Sequence, residues 1–292
     1  MAVRRVRAFA KINLALRVLG TREDGYHELR TIFQSIALHD ILEIRDRRGS
    51  FALTCDDPAC PVDATNLVWR AAERLWRASG RRGAPRDVAI HLVKRVPMQA
   101  GLGGGSSDGA AALVALSRRW RVDERRTREV AASLGADVPY FLEGGTALGL
   151  DRGDLLFPLV DSPRAWVVLV LPAFGVSTVE AYRWWDSDGA PHSKACNDLQ
   201  APVVRRHPEI GRIVAALKRA GARDAAMSGS GSAVFGLFSR RSDAALAAAA
   251  LRSGSRRIVM TRTVSRQDYR ALAAMSGHRI HLRFAPRGSG HS

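Results

Sequence analysis

Gly101, Gly103, Gly104 and Gly105 crowd one short stretch of the chain, and Ser106, Ser107 and Asp108 follow directly. Glycine reaches positive φ and lets another atom approach the backbone closely. Ser or Asp just ahead of an apolar run marks a helix start, and an alanine-rich run continues from here to Trp120. The stretch therefore predicts a glycine loop feeding a helix N-terminus, with Ser or Asp as the cap. Such an end presents unpaired N–H groups and the positive pole of the helix dipole, which suits a phosphate. No Lys-Ser/Thr pair follows the last glycine, so this is not a Walker A loop. The glycine spacing, and a preceding strand that ends before Pro97, do not match a dinucleotide fingerprint either.

Three distant stretches supply what phosphoryl transfer needs besides a cradle. Ala10-Lys11-Ile12-Asn13-Leu14 sets a cation beside a strand, Asp137 is a carboxylate in an otherwise apolar segment, and Met227-Ser228-Gly229-Ser230-Gly231-Ser232 is a second glycine-serine turn. Together they offer a phosphate cradle, a positive charge and a group to orient or deprotonate an attacking hydroxyl. Taken singly, each has a plainer reading. Lys11 would be a surface charge, Asp137 a turn former after a helix stop, and His27 a surface or capped histidine. Only the joint pattern points to chemistry.

The elements that must hold these residues follow from periodicity. Residues 6–9 and 12–18 read as two strands with Lys11 between them, then a polar turn carries Asp24-Gly25-Tyr26-His27. Residues 41–44 and 51–54 look like further strands. Asp63 or Thr65 can cap a helix running to Ser79, with Leu67, Ala71 and Leu75 on its buried side. Residues 88–93 alternate as the strand before the glycine loop. Asp123 can cap a helix ending at Leu134, with Gly135 as its stop. Gly144, Gly145, Gly149 and Gly153 mark a loop-rich boundary. The second half reads as a strand over 166–171, helices over 178–185 and 208–220, a strand over 233–238, a helix over 242–252 and a strand over 258–264, a β-α-β-like half. After Tyr269 the chain reads as basic and turn-rich.

A chain of 292 residues with 46% apolar and 25% charged composition is long enough for two domains and typical of globular proteins. No segment is long and apolar enough to span a membrane. Lys11, Asn13 and Arg17 interrupt any apolar signal-peptide core near the start. The formal charge is +17, carried almost wholly by arginine in scattered pairs such as Arg81-Arg82 and Arg240-Arg241. No aromatic residues interleave with them as base stacking would require, so the basic surface predicts no nucleic-acid partner. Cys55, Cys60 and Cys196 lack metal-ligand spacing and read as reduced thiols of a cytoplasmic protein.

The glycine loop resembles the Pro-x-x-x-Gly-Leu-Gly-Gly-Gly-Ser-Ser phosphate loop of the GHMP small-molecule kinases. Ala10-Lys11-Ile12-Asn13-Leu14, Asp24-Gly25-Tyr26-His27, the loop itself, Gly135-Ala136-Asp137-Val138-Pro139, Asn197-Asp198-Leu199 and Met227-Ser228-Gly229-Ser230-Gly231 occur in the order seen in one GHMP family. That family phosphorylates 4-diphosphocytidyl-2-C-methyl-D-erythritol in non-mevalonate isoprenoid synthesis. The resemblance spans roughly residues 6–269. It implies an α+β, two-domain GHMP kinase fold. An N-terminal domain like domain 2 of ribosomal protein S5 would cover residues 1–155 and a ferredoxin-like domain residues 156–275, with a basic tail over 276–292. It implies ATP phosphates on Pro97, Met98, Gln99, Ala100, Gly101, Leu102, Gly103, Gly104, Gly105, Ser106 and Ser107, with Mg2+ as cofactor and metal ligands unassigned. It implies Lys11 and Asp137 as the catalytic pair. Tyr26, His27 and Tyr182 would form an aromatic cytosine pocket, with Trp184 and Trp185 close to the variable Tyr182 position, and Asn13 and Thr178 would add substrate contacts. The partners implied are ATP and the cytidyl diphosphate substrate, with a monomer or homodimer as the assembly. Two alternatives stay open: a GHMP kinase of homoserine or mevalonate type, and an S5-like RNA-binding protein.

Overall fold

The computed structural model describes residues 3–189, 195–252 and 254–273. Two long strands, β1 (Arg4–Thr21) and β2 (His27–Ser50), pair antiparallel along almost their whole length. They replace the shorter pieces expected from local alternation. The interruption that suggested two strands is a register irregularity. Between the pairs Phe9–His39 and Lys11–Ser35, β1 advances two residues while β2 advances four. Irregularities of this kind bend a strand and re-aim its side chains, and here Ala10, Lys11 and Ile12 are all buried in succession.

β3 (Ala52–Cys55) precedes α1 (Leu67–Ala78), and β4 (Arg86–Val93) returns to pair with β2 and, in parallel, with β3. Asn66 caps α1, not Asp63 or Thr65, because its carboxamide oxygen accepts the Val68 N–H. Asp63 instead closes the turn before it, accepting from Thr65. The glycine loop then opens α2 (Gly104–Trp120). Its cap is Gly103, left-handed at φ 70°, so the expected Ser or Asp cap is not found and Ser106, Ser107 and Asp108 lie inside the first helical turns. A glycine that starts the helix this early exposes its first N–H groups to whatever sits beyond the loop.

Asp123 caps α3 (Glu124–Leu134) as expected, and Gly135 ends it. α4 (Tyr140–Glu143) follows. The glycine-rich stretch read as a loop contains β5 (Thr146–Leu150) and β6 (Leu155–Pro158), which extend the first sheet in the order β3-β4-β2-β5-β6 with β1 on β2. That sheet therefore runs three residues past the expected boundary at 155. The helices α1, α2 and α3 cover one face, around Leu75, Leu92, Leu113, Leu116 and Tyr140.

The second unit runs β7 (Trp166–Pro172), α5 (Thr178–Ser187), α6 (Gln200–Arg206), α7 (Pro208–Arg219), β8 (Asp224–Met227), β9 (Val234–Phe238), α8 (Arg241–Ala250) and β10 (Arg256–Arg262). The antiparallel sheet order is β10-β7-β9-β8. That βαββαβ arrangement is ferredoxin-like. The short elements α6 and β8 carry too few residues to show a period. A last helix, α9 (Arg266–Ala273), occupies part of the stretch read as turns. It returns to the first unit, where Tyr269 packs on Phe9 and donates to the Phe141 carbonyl at 2.6 Å. The tail expected over 276–292 lies outside the described residues.

One apolar seam joins the two sheets. Ala10, Ile12, Val96, Ala100 and Leu102 pack against Val167, Leu169, Leu171, Phe235 and Leu237. Ala100 and Leu102 are thus the anchors of the glycine loop, and the seam fixes that loop against the second unit.

Candidate active site

Lys11 and Asp137, distant in sequence, meet at the mouth of the glycine loop. The Lys11 Nζ lies 3.7 Å from Asp137 Oδ2. The lysine is buried and the carboxylate is about one-third exposed. Burial pulls the Lys11 ammonium below its ordinary pKa, and the neighbouring Asp137 charge opposes that pull. A cation this dry keeps most of its field for an anion that enters beside it.

Lys11 is held from three sides. Its backbone N–H donates to the Leu102 carbonyl at 3.0 Å. Its ammonium donates to Asn13 Oδ1 at 2.6 Å, and Asn13 in turn donates to Thr31, whose hydroxyl donates to the Ala15 carbonyl. A Cβ built on Gly103 would stand 2.7 Å from Phe141 and 3.2 Å from Lys11 Cε. Gly103 is therefore glycine both for its left-handed backbone and because Lys11 and Phe141 crowd it. Asn13, expected as a substrate contact, is buried with both ends of its amide bonded to protein.

The second glycine-serine turn is fastened to the first. Ser228 Oγ donates to the Gly101 carbonyl at 2.9 Å and accepts the Asn13 N–H at 3.3 Å. The Ala233 N–H donates to the Ala100 carbonyl. A Cβ on Gly101 would come within 2.1 Å of the Ser228 carbonyl oxygen. Asn197 Nδ2 donates to the carbonyls of Met227 and Gly229 at 2.8 and 2.7 Å. Beside it, the buried Asp198 accepts from Arg17 and from the Val18 N–H. The Asn197-Asp198-Leu199 stretch thus clips the second loop to β1.

The eleven loop residues divide by where their side chains go. Ala100 and Leu102 point into the seam, and the Ser107 hydroxyl donates to the Phe9 carbonyl. These three can offer a ligand only backbone groups. A Cβ on Gly104 would stand 2.9 Å from Val96 and 3.6 Å from Lys94 Nζ, whereas nothing lies within 4 Å of a Cβ on Gly105. Pro97, Met98 and Gln99 lead in, with Gln99 at φ 52°.

Under the loop sits a charged cluster that sequence reasoning missed. Lys94 Nζ is 2.5 Å from Asp40 and 2.7 Å from Asp108, all three buried. Asp40 also accepts the N–H groups of Arg95 and Val96. Burial pushes the Asp108 carboxyl up to about 8 against the pull of Lys94. Asp40, Lys94 and Asp108 belong to three different segments, so no spacing rule joins them.

On the other side of the mouth, His27 and Tyr182 stack at 4.6 Å. Tyr26 is 57% exposed, with the Arg152 guanidinium 5.3 Å over its ring. The Thr178 hydroxyl bonds to Ser230 at 3.1 Å, linking α5 to the second loop. Trp185 meets the His27 ring edge-on at 5.7 Å, while Trp184 turns away toward His207.

No described helix is long and apolar enough to cross a membrane. Among the described residues no group of three or more His, Cys, Asp or Glu is arranged to hold a metal.

Comparison with known proteins agrees with this architecture. Models of the GHMP kinases match the chain twice: the N terminal domain over residues 66–145 and the C terminal domain over residues 187–256. A relative from Pelotomaculum thermopropionicum, 4-diphosphocytidyl-2-C-methyl-D-erythritol kinase, is 43% identical over 279 residues, covering 88% of this chain and 96% of that protein. A crystal structure of 4-(cytidine 5'-diphospho)-2C-methyl-D-erythritol kinase superposes with TM-score 0.73 at 36% identity, covering 89% of this chain and 98% of that one. Homoserine kinase from Cytophaga hutchinsonii superposes with TM-score 0.63 at 18% identity over 91% of this chain and 95% of that one, a likeness of fold alone.

Proposed function

We propose, for a chain that belongs to the GHMP kinases and within them to the 4-diphosphocytidyl-2-C-methyl-D-erythritol kinase family, that its site transfers the γ-phosphate of ATP to the 2-hydroxyl of that cytidyl substrate. The observation that carries the site reading is the Lys11–Asp137 pair at the mouth of a glycine loop whose first helical N–H groups are open.

In this reading each part has a task. The ATP phosphates lie along residues 101–106, against backbone N–H groups and the helix dipole. Gly105 leaves open space there. Asp137, partly exposed, accepts the hydrogen bond of the acceptor hydroxyl and aims its oxygen at the γ-phosphate. Lys11 holds the Asp137 carboxylate by charge and offsets charge gathering on the transferred group. Asn13 acts behind Lys11, holding its ammonium in place. The cytosine rests at Tyr26, whose ring has one face under Arg152, with His27 and Tyr182 closing the pocket.

The donor set fits Mg2+ carried in on the nucleotide, with waters completing its shell, better than a dedicated protein cage. The half-exposed Ser106, in the first turn of α2, is the residue beside the phosphates that would hold it. When bound, the ion neutralises phosphate charge. Three free cysteines are in keeping with a reducing, cytoplasmic setting.

An acceptor panel tests the reading. With ATP and the cytidyl substrate, 31P NMR should show one ADP and one new phosphomonoester per turnover. Equal or better turnover of homoserine or mevalonate would reassign the acceptor while leaving the fold in place.

A further inference from the structure

Residues 264–270 reach both sides of the Lys11–Asp137 pair. On the lysine side, the Val264 N–H donates to the Ser35 carbonyl at 2.8 Å, and Ser35 is the β2 residue opposite Lys11 in the β1–β2 register. The buried Gln34 ties the same point again, its Nε2 donating to the Val264 carbonyl at 2.9 Å. On the aspartate side, Asp137 lies in the turn between α3 and α4, and α9 grips α4. The buried Glu143 carboxylate accepts from Arg128 of α3 at 2.7 Å and from Arg270 of α9 at 3.1 Å. One acid thus joins the two helices that flank Asp137 and fastens them to α9. The Phe141 carbonyl belongs to a helix of four residues, whose carbonyls find no partner within the helix itself. The Gly145 N–H, four residues on, donates to Ser35 Oγ instead. The buried Tyr269 hydroxyl takes its place and donates to the Phe141 carbonyl at 2.6 Å. The Tyr269 ring has other work, packing on Phe9 and over Gly144, where a Cβ would come within 2.2 Å of it. A phenylalanine would serve that packing equally, so the hydroxyl is there for the carbonyl.

We propose that Tyr269 is a positioning residue for phosphoryl transfer: through the Phe141 carbonyl it holds α4, and with it Asp137, within reach of Lys11. The inference rests on the Lys11–Asp137 reading above. The pair stands 3.7 Å apart, and the transfer needs the acceptor oxygen aimed in line with the phosphate. A misplacement of about 1 Å caused by a change away from the chemistry can cost about a hundredfold in rate. The nucleotide loop is anchored elsewhere, through Ala100 and Leu102 in the seam. A slip of α4 therefore reaches kcat and leaves the binding of ATP and of the cytidyl group as it was.

The test is a kinetic cycle of the native chain, Tyr269→Phe, Asp137→Asn and the double variant. Each kcat is scaled to the ATP sites counted by calorimetric titration, so that unfolded protein does not enter. Tyr269→Phe keeps the ring and deletes one hydrogen bond. It should lower kcat about tenfold, inside the hundredfold that a misplacement of about 1 Å can cost, and leave both KM values where they were. In the Asp137→Asn background no carboxylate is left to aim, so the same change should lower kcat no further. Native kcat in Tyr269→Phe, or the same loss repeated in the Asp137→Asn background, overturns the role of Tyr269 and leaves the Lys11–Asp137 reading standing. Near-normal turnover in Asp137→Asn overturns that reading, and this proposal with it. If Tyr269→Phe folds poorly, Arg270→Met takes its place in the cycle. It loosens α9 from Glu143 while Arg128 still pairs that acid, and its outcomes are read the same way.

Discussion

Gly105→Ala separates a glycine kept for its fold from one kept for its ligand. Gly101 and Gly103 are left-handed and crowded, with backbone or side-chain atoms at 2.1 and 2.7 Å from an added Cβ. Replacing either strains the protein whatever it binds. Gly105 differs: it lies in the first turn of α2 with ordinary helical φ, and an added methyl meets nothing within 4 Å. Alanine is favoured over glycine in a helix by roughly 0.5–1 kcal/mol. The variant should therefore be as stable as the native chain or melt a few degrees higher. If the ATP phosphates occupy the open space over Gly105, the same methyl stands between phosphate and backbone N–H. Lengthening even one such charge-assisted bond costs about 1.5–3 kcal/mol, or roughly tenfold or more in affinity. Thermal melting and calorimetric ATP titration read the two effects separately. A variant that melts higher and binds ATP as tightly as the native chain would refute the placement of phosphates on this turn.

The buried Asp40–Lys94–Asp108 cluster should dominate stability near the loop. Lys94→Met leaves two buried carboxyls without their cation and should cost about 3–5 kcal/mol in denaturant unfolding, while Asp108→Asn costs far less. Because burial raises the Asp108 pKa to about 8, the native state holds this proton more tightly than the unfolded chain does. Asp108 therefore makes stability fall as pH rises from about 4 to about 8, and Asp108→Asn should flatten that slope. Tyr26→Ala should raise the KM for the cytidyl substrate about tenfold, given roughly 1–3 kcal/mol per stacked base, and leave the KM for ATP nearly unchanged. The thiol of Cys55, pushed up to about 12 by burial, should alkylate far more slowly at pH 8 than the exposed Cys196, as peptide mass spectrometry would record.

The parts of the site were legible because each depends on residue type. A glycine cluster before an alanine run announces a phosphate-ready helix start wherever the fold carries it. The order of the motifs then tied Lys11, Asp137 and the second loop to one family. Local pattern failed where pairing decides. The irregular register at Ala10 hid one continuous strand behind an apparent gap, and β5 and β6 are strands because β2 offers an edge to β5 and β5 in turn offers one to β6. Gly103 took the cap position from Ser and Asp because the backbone is left-handed there and Phe141 and Lys11 leave no room for a Cβ. Asn13 turned inward, since a buried ammonium requires an acceptor. Lys94 was invisible because its partners, Asp40 and Asp108, come from other segments of the chain.

The central claim is that Lys11 and Asp137, 3.7 Å apart, act as one unit on the acceptor hydroxyl. A kinetic double-mutant cycle measures that directly. A positioned base contributes about a hundred- to ten-thousand-fold, so Asp137→Asn should lower kcat at least a hundredfold with both substrates still bound. Lys11→Ala should lose a similar factor, and the double variant should lose far less than the product of the two. Losses that simply multiply, or near-normal turnover in Asp137→Asn, would contradict the account.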